Sequence, residues 1–299
     1  MVEIRHILCP IDFSHTARHA LEHAIAVSKW YESQVTALHV IHPMFLYPPT
    51  ILFAEFPKSQ LPTAAERRSL EEQLRAWLEP AGRAGVKTDV LVDDGNPAPR
   101  ILDHASRLQC DLVVMGTHGL GGFERFILGS VAERVLRKAS CPVLTVPPAV
   151  VAAARVPYTR LLCCVDFSES SLEALRFAVS VAKESDAHLT ILHVLDWPAD
   201  DGLLVERFDT PEFRRLAEEQ ARARLDALVT DDVRVWCKPA TKIGHGKPYR
   251  QILEVADREG SDLIVIGVRG RNPLDLTLFG STTNHVVRRA SCPVLTLRR

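Results

Sequence analysis

The chain has 299 residues, of which 46% are hydrophobic and 24% are charged. These ordinary globular proportions exclude collagen, coiled coil and intrinsic disorder, and the length predicts about two domains. The formal net charge of −1 argues against a dedicated surface for nucleic acid or for an anionic membrane. The charged start of the chain lacks the pattern of a signal peptide. Seven cysteines without a C-x-x-C spacing predict buried, reduced thiols, so we expect a cytoplasmic protein.

Short apolar runs alternate with helical patterns along the first half of the chain. The runs predict strands at residues 6–11, 34–41, 86–92, 111–115 and 142–146. The patterns between them predict helices at residues 14–33, 63–85, 97–108 and 130–139. Strands that alternate with helices in this way form a parallel sheet with helices on both faces. The predicted fold class is therefore α/β.

The second half of the chain repeats the first. Residues 7–41 align with residues 161–195 with 14 identities in 35 positions, and residues 110–146 align with residues 261–297 with 16 identities in 37. A repeat of about 150 residues has the size of a domain and not of a solenoid unit. We therefore predict a first domain at 1–147, a proline-bracketed linker at 148–158, and a second domain at 159–299 with the same order of elements.

Each half carries glycines at one spacing, G-x2-G-x9-G-S, after its fourth predicted strand. Glycines at a strand end permit positive φ and close approach of the backbone to a ligand. The last glycine opens a helix, whose free N–H groups and dipole favour an anion, so the pattern predicts an anion cradle. The motif positions are Gly116, Gly119, Gly129 and Ser130 in the first half, and Gly267, Gly270, Gly280 and Ser281 in the second.

The alternative is that these glycines serve only as turns and helix caps. Nine residues between the second and third glycines differ between the halves, whereas the spacing is the same. Constant spacing around divergent residues favours a geometric requirement, although descent from one ancestor also contributes.

The motif stands between an opening strand that leads into Asp-Phe-Ser and a closing Ser-Cys-Pro-Val-Leu-Thr segment. In this combination the chain resembles the universal stress protein family over nearly its whole length. The resemblance implies two tandem Rossmann-like domains, each a five-stranded parallel sheet in the order 3-2-1-4-5 with helices on both faces. It implies an ATP-type nucleotide (ATP, ADP or AMP), often with a divalent ion such as Mg²⁺, in the crevice of each sheet. It also implies pairing through the last strands. The duplication predicts that the two halves form an internal pseudo-dimer in this way, with residues 142–146 beside residues 293–297, and two such chains could pair again into a homodimer.

The resemblance assigns ligand contacts residue by residue. In the first half, Asp12 and its neighbours Pro10 and Ile11 would flank the ribose and adenine, and Val40 would hold adenine through its backbone. The three glycines of the motif would hold the phosphates together with Ser130 and Val131. The matching positions in the second half are Asp166, Cys164, Val165, Val194, Gly267, Gly270, Gly280, Ser281 and Thr282. Cys164 stands where the first half has Pro10, whereas the phosphate loop of the second half is intact.

Several charged or titratable side chains admit two interpretations. His118 and Arg269 occupy equivalent places between the first two glycines, where either could reach a phosphate or be a solvated loop residue. Three histidines on the first helix have a spacing that could hold a metal: His15, His19 and His23. Because the helical pattern places them opposite Leu21, we predict that they form a solvated face and are not metal ligands.

Three classes of function remain open. The preferred one is a nucleotide-binding stress regulator or sensor with slow or absent turnover, which is not an enzyme and has no catalytic residues. The second is a slow Mg²⁺-dependent ATPase or phosphotransferase, against which G-x4-G-K-[ST] is absent and no catalytic base is evident. The third is a protein-interaction scaffold with vestigial nucleotide sites. An oxidoreductase is disfavoured because no G-x-G-x-x-G follows a first strand.

Overall fold

A computed structural model describes the chain at residues 2–42, 62–119, 128–148, 150, 156–196, 210–237, 239–268 and 280–298. The chain divides into two compact units, Glu3–Val156 and Pro157–Arg299, the latter together with Met1–Val2. These are called the first and the second unit below. Across the described parts of the chain, no helix is long and apolar enough to cross a membrane.

The first unit alternates strands with helices, as its sequence predicts. Its strands are β1 (His6–Pro10), β2 (Gln34–Ile41), β3 (Thr88–Asp94), β4 (Leu112–Gly116) and β5 (Val143–Val146). Its helices are α1 (His15–Tyr31), α2 (Ala64–Arg83), α3 (Pro97–Arg107) and α4 (Ser130–Lys138). The bounds of these elements lie within about two residues of the predicted ones, which is the usual uncertainty of helix and strand ends.

The strand pairs of the first unit are all parallel, in the order β3-β2-β1-β4-β5. The central strand β1 pairs with β2 on one side and with β4 on the other, and its last residue, Pro10, lies opposite Leu38. The chain moves outward from β1 to β3 and then returns to β4. Right-handed crossovers therefore put α1 and α2 on one face of the sheet and α3 and α4 on the other. This arrangement confirms the predicted fold class.

The second unit repeats this arrangement with one addition. Its strands are β6 (Arg160–Cys164), β7 (His188–Leu195), β8 (Ala240–His245), β9 (Leu263–Gly267) and β10 (Val294–Leu297), in the order β8-β7-β6-β9-β10. Its helices are α5 (Glu169–Ser185), α6 (Pro211–Leu228), α7 (Asp231–Cys237), α8 (Pro248–Glu259) and α9 (Ser281–Arg289). The short helix α7 has no counterpart in the first unit, so the prediction that both halves have the same elements was wrong there. The connection from α6 to β8 is longer than that from α2 to β3, and it folds into this helix.

The first helix of each unit starts and ends in the same way. Ser14 caps α1 by accepting from the backbone N–H of Ala17, and Ser168 caps α5 by accepting from that of Ser171. Both helices stop at a residue in the left-handed conformation, Glu32 with φ 54° and Asp186 with φ 50°. Such capping satisfies backbone groups that a helix end would otherwise leave open.

The histidines of α1 do not share a solvated face. His15 is exposed and His19 is half-buried, but His23 is 1% exposed. The prediction was therefore wrong for His23. Both ring nitrogens of His23 are buried without a hydrogen-bond partner among the described residues. Burial, followed by the charge of His19, lowers the pKa of His23 from 6.5 to about 4.

All seven cysteines are free thiols, and six of them are buried. Cys141, which precedes β5, is half-exposed, so the prediction of a buried thiol was wrong for it. Burial nevertheless raises the pKa of Cys141 to about 11, and that of Cys110 to about 12. Both thiols are protonated at neutral pH and are weak nucleophiles.

Candidate functional site

The candidate site of the first unit lies where the strand order reverses. The connection that follows β1 leads towards β2 on one side, and the connection that follows β4 leads towards β5 on the other. In an open parallel sheet, ligands bind outside the carboxyl ends of the strands at such a switch point. Asp12 and Gly119, two of the predicted site residues, follow these two strand ends.

Asp12 is held in a fixed position at this edge. Its Oδ1 accepts a hydrogen bond from the backbone N–H of Ser14 at 3.0 Å and another from the Ser14 hydroxyl at 2.6 Å. Its Oδ2 faces Gly119, because a Cβ built on Gly119 would lie only 2.6 Å from that oxygen. The structure therefore brings Asp12 and the loop after β4 together.

The described motif glycines allow neighbouring atoms to approach closely, and their backbones do not have a positive φ. None of the five described motif glycines has φ in the left-handed region, so that part of the sequence argument was wrong. A Cβ on Gly116 would lie 2.7 Å from Cγ2 of Thr16 in α1, and a Cβ on Gly129 would lie 3.3 Å from the carbonyl oxygen of Thr117. These glycines let α1 and α4 approach the end of β4 closely.

Helix α4 points its N-terminus at the loop after β4. Gly129, its N-cap, donates from its backbone N–H to the carbonyl oxygen of Thr117 at 2.8 Å. Its first residue, Ser130, is exposed and Val131 is half-buried. Among the described residues no side chain caps this helix. The N–H groups of its first turn are thus available to an anion such as phosphate.

His118 lies inside the loop and not in solvent. It is 9% exposed, and its Nδ1 is 2.8 Å from the hydroxyl oxygen of Thr117. The interpretation as a solvated loop residue was therefore wrong for His118. Its equivalent Arg269 lies outside the described residues, as does Gly270.

The residues predicted around adenine lie at or just after the end of β1 and in the neighbouring strand β2. Pro10 ends β1 opposite Leu38, and the backbone N–H of Ile11 donates to the carbonyl oxygen of Leu38 at 2.8 Å. Beyond that point β2 continues through Val40, which pairs with Asp93 of β3 on its other side. The β1 side of Val40 therefore lies next to the segment that carries Asp12.

The described site residues of the second unit have local contacts similar to those of the first. Oδ1 of Asp166 accepts from the backbone N–H of Ser168 at 2.9 Å and from the hydroxyl of the same serine. A Cβ on Gly280, the N-cap of α9, would lie 3.2 Å from the carbonyl oxygen of Val268. Of the other predicted residues, Cys164 ends β6, Val165 follows it and Val194 lies near the end of β7. Gly267 ends β9, and Ser281 and Thr282 are the first residues of α9.

Gly267 lies against the backbone of α5. A Cβ at this position would lie 2.8 Å from the backbone of Ser170 and Ser171 in α5, and its carbonyl oxygen accepts from the hydroxyl of Thr283 at 3.0 Å. Backbone atoms cannot move aside as the end of a side chain can. Gly267 is therefore needed for packing α5 on β9, whichever ligand is bound.

We expect Gly267→Ala to destabilise the protein by about 2 kcal/mol, because the added methyl group overpacks a junction between two backbones. Gly82→Ala is the matched control, since no atom lies within 4 Å of a Cβ built there, in the last turn of α2. That control should be as stable as wild type or more stable by up to about 0.5 kcal/mol, since alanine is preferred over glycine in a helix and the preference is smaller near its end. Urea denaturation measures both, and equal stabilities of the two variants would contradict the packing role.

The chemistry of the crevice is that of an anion site with one carboxylate beside it. Asp12 would repel a phosphate group, and a divalent cation would offset this repulsion. Carboxylate and hydroxyl oxygens, such as those of Asp12 and Ser130, are ligands that suit Mg²⁺. The described residues contain no group of three or more His, Cys, Asp or Glu side chains that could hold a metal ion. An ion at this place would depend on phosphate oxygens and water, as Mg²⁺ usually does.

Two residues next to Asp12, Phe13 and His39, had no predicted role. Phe13 follows Asp12 with φ 63°, a left-handed conformation that is rare for a bulky residue. Its ring lies 4.8 Å from that of His39 in β2. The available signal was the repetition of Asp-Phe-Ser and Leu-His-Val in both halves of the chain.

Comparisons with known proteins agree with this fold. A universal stress protein of Methanocaldococcus jannaschii is 35% identical over 140 residues, which are 47% of this chain and 80% of the relative. A relative from Staphylococcus epidermidis is 35% identical over 148 residues, 49% of this chain and 86% of the relative. The crystal structure of a universal stress protein from Archaeoglobus fulgidus has the same fold over 98% of both chains, with a TM-score of 0.69 and 24% identity.

The model of the universal stress protein family matches residues 3–147 and again residues 157–298. Two matches that together span nearly the whole chain confirm the tandem arrangement predicted from the repeat. The chain belongs to the universal stress protein family.

Proposed function

We propose that this chain is a stress-response regulator or sensor that binds an ATP-type nucleotide in each of its two units. The observation that carries the proposal is the group of residues at the carboxyl ends of the strands in each unit. In the first unit the Asp12 carboxylate meets the loop after β4, and the glycine-capped N-terminus of α4 meets the same loop. In the second unit the serine-bound Asp166 carboxylate and the glycine-capped start of α9 follow the corresponding strand ends.

Each part of the nucleotide has a matching part of the crevice. Backbone N–H groups at the start of α4, with the Ser130 hydroxyl, would bind the phosphates, since a helix N-terminus favours negative charge. Asp12 would accept hydrogen bonds from the ribose hydroxyl groups, and Val40 would hold adenine through its backbone. Mg²⁺ would neutralise part of the phosphate charge beside Asp12.

Binding without rapid turnover is the expected mode of action. The pattern G-x4-G-K-[ST] is absent from the sequence, and we assign no catalytic residue. Occupancy would then act by favouring one conformation or one assembly of the protein. Pairing of the two halves, homodimer formation and a cytoplasmic location also stay predictions.

Affinities for a series of adenine compounds test the proposal. We expect adenosine to bind at least about tenfold more weakly than ADP, because each charge-assisted contact to phosphate adds to the free energy of binding. Calorimetry with adenosine, AMP, ADP and ATP at constant ionic strength measures this. Equal affinities along the series would contradict a phosphate site at α4 and α9.

The enzymatic alternative predicts a different result. A Mg²⁺-dependent ATPase would release phosphate at a steady rate, and Ser130→Ala or Asp12→Ala would abolish the release that is due to the first unit. The scaffold alternative predicts that neither unit binds any of the compounds.

A further inference from the structure

The turn that carries the candidate ribose carboxylate has an unusual backbone. Phe13, next to Asp12, has φ 63°, and Phe167, next to Asp166, has φ 64°. Such left-handed conformations are disfavoured for bulky side chains and persist only where surrounding contacts impose them. The same conformation at the same place in both units indicates that these contacts are part of the site.

A histidine in the neighbouring strand supplies those contacts. Nδ1 of His39 lies 2.7 Å from the carbonyl oxygen of Ile11, and the His39 ring lies 4.8 Å from the ring of Phe13. Since a carbonyl oxygen only accepts, Nδ1 carries the hydrogen. Burial lowers the pKa of His39, although the hydrogen bond to Ile11 and the charge of Asp12 oppose this, so the ring is neutral at pH 7.

The second unit has the same arrangement. Nδ1 of His193 lies 2.7 Å from the carbonyl oxygen of Val165, and its ring lies 4.6 Å from that of Phe167. The outer contacts of the phenylalanines differ between the units. Trp77 packs edge-on against Phe13 at 5.3 Å, whereas the guanidinium of Arg224 lies 3.8 Å above Phe167. The histidine, the carbonyl and the phenylalanine are thus the elements that both units keep.

Each histidine contacts the residue before the aspartate and the residue after it. His39 binds the carbonyl of Ile11, which precedes Asp12, and packs on Phe13, which follows it. Asp12 then has its Oδ1 bound by Ser14 and its Oδ2 turned to Gly119. A turn fixed at both flanks leaves the carboxylate little freedom, which is the condition for a strong, directional hydrogen bond to a ligand.

We infer that His39 and His193 are positioning residues, which fix the Asp12 and Asp166 carboxylates so that the protein discriminates nucleotides that carry ribose hydroxyl groups from those that lack them. This inference rests on the proposed function and specifies which part of the nucleotide these histidines control. The histidines do not touch the ligand. They act through the turn, so their loss should affect the hydroxyl-dependent part of the affinity and spare the phosphate-dependent part.

The test compares ATP with 2′,3′-dideoxy-ATP by calorimetry. In wild type we expect ATP to bind at least about tenfold more tightly, the usual contribution of hydrogen bonds to a charged carboxylate. In the double variant His39→Leu with His193→Leu, this ratio should fall below about threefold, as it should in Asp12→Ala with Asp166→Ala. Affinity for dideoxy-ATP should change by less than about threefold in the histidine variant.

Two further variants separate positioning from folding. His39→Asn with His193→Asn keeps an N–H near the Nδ1 position, so it should restore part of the discrimination. Trp77→Phe changes a side chain that packs against Phe13 and leaves the hydrogen bond between His39 and Ile11 in place. The ratio of the affinities for ATP and dideoxy-ATP should therefore stay unchanged. Circular dichroism and thermal unfolding verify that each variant folds.

Each outcome has one meaning. The positioning role is overturned if the folded leucine variant discriminates ATP from dideoxy-ATP as strongly as wild type does. It is also overturned if that variant loses affinity for both compounds equally. Neither result contradicts nucleotide binding itself. Equal binding of both compounds by wild type overturns the role of the carboxylates and of the histidines. No binding of ATP by wild type overturns the proposed function together with this inference.

Discussion

Gly129→Val is expected to weaken ATP binding by the first unit by about 100-fold or more, which corresponds to about 3 kcal/mol. A Cβ at this position would already lie 3.3 Å from the carbonyl oxygen of Thr117 and 3.9 Å from the backbone nitrogen of Gly119. The two methyl groups of valine extend further into the space between the loop and the first turn of α4. They would occupy the volume that the phosphate needs and screen the N–H groups that hold it.

The second unit supplies the matched variant. Gly280→Val should abolish the corresponding site there, since its Cβ would lie 3.2 Å from the carbonyl oxygen of Val268. Each substitution should remove one site and leave the other unchanged. Gly129→Ala adds only the Cβ and should weaken binding by less than about tenfold, because its neighbour needs to yield by only a few tenths of an ångström. Calorimetry at equal protein concentration measures all three. Unchanged affinity in Gly129→Val would refute the placement of the phosphate.

Acidification is expected to destabilise the protein through His23, by about 3 kcal/mol between neutral pH and pH 4. Burial, then the charge of His19, lowers the pKa of His23 from 6.5 to about 4, and the ring is 1% exposed. The unfolded chain therefore takes up a proton near pH 6.5, whereas the folded chain does so only near pH 4. The contribution to stability is complete above pH 6.5 and is lost as the pH falls from there to 4.

His23→Phe tests this prediction and copies the second unit, which has Phe177 at the equivalent place. The variant should lose less stability than wild type between pH 7 and pH 4, by about 3 kcal/mol. His15→Ala, on the exposed side of the same helix, should keep the wild-type profile. Urea denaturation at several pH values gives the comparison. Parallel profiles for wild type and His23→Phe would contradict the burial of an uncharged histidine.

Much of the fold could be predicted from periodicity and repetition. The strand predicted at 34–41 is β2 as found, and Thr63 begins a capping box with Glu66 that starts α2 within a residue of its predicted start. Local signals of this kind act over a few residues, so they can be read from the sequence. Helix α7 was not predicted because the segment that forms it is absent from the first half, so the repeat contains no information about it.

The predictions that were wrong concern residues whose environment is set by tertiary packing. Spacing alone cannot distinguish a glycine needed for positive φ from one needed for lack of room, and Gly116 and Gly267 are of the second kind. Helical periodicity put His23 opposite Leu21, but α1 buries residues on both of these sides. The positioning role that we propose for His39 could not be predicted from the sequence, because it depends on a contact with the carbonyl of Ile11, which is 28 residues away in the chain.

Calorimetric titration of nucleotide-stripped protein with ATP and Mg²⁺, with released phosphate assayed on the same sample, tests the central claim most directly. Two nearly independent sites per chain, without steady release of phosphate, are the predicted result, because both units place an aspartate and a glycine-capped helix start at the carboxyl edge of the sheet. The absence of any binding heat up to millimolar ATP, confirmed by equilibrium dialysis, would contradict nucleotide binding by either unit.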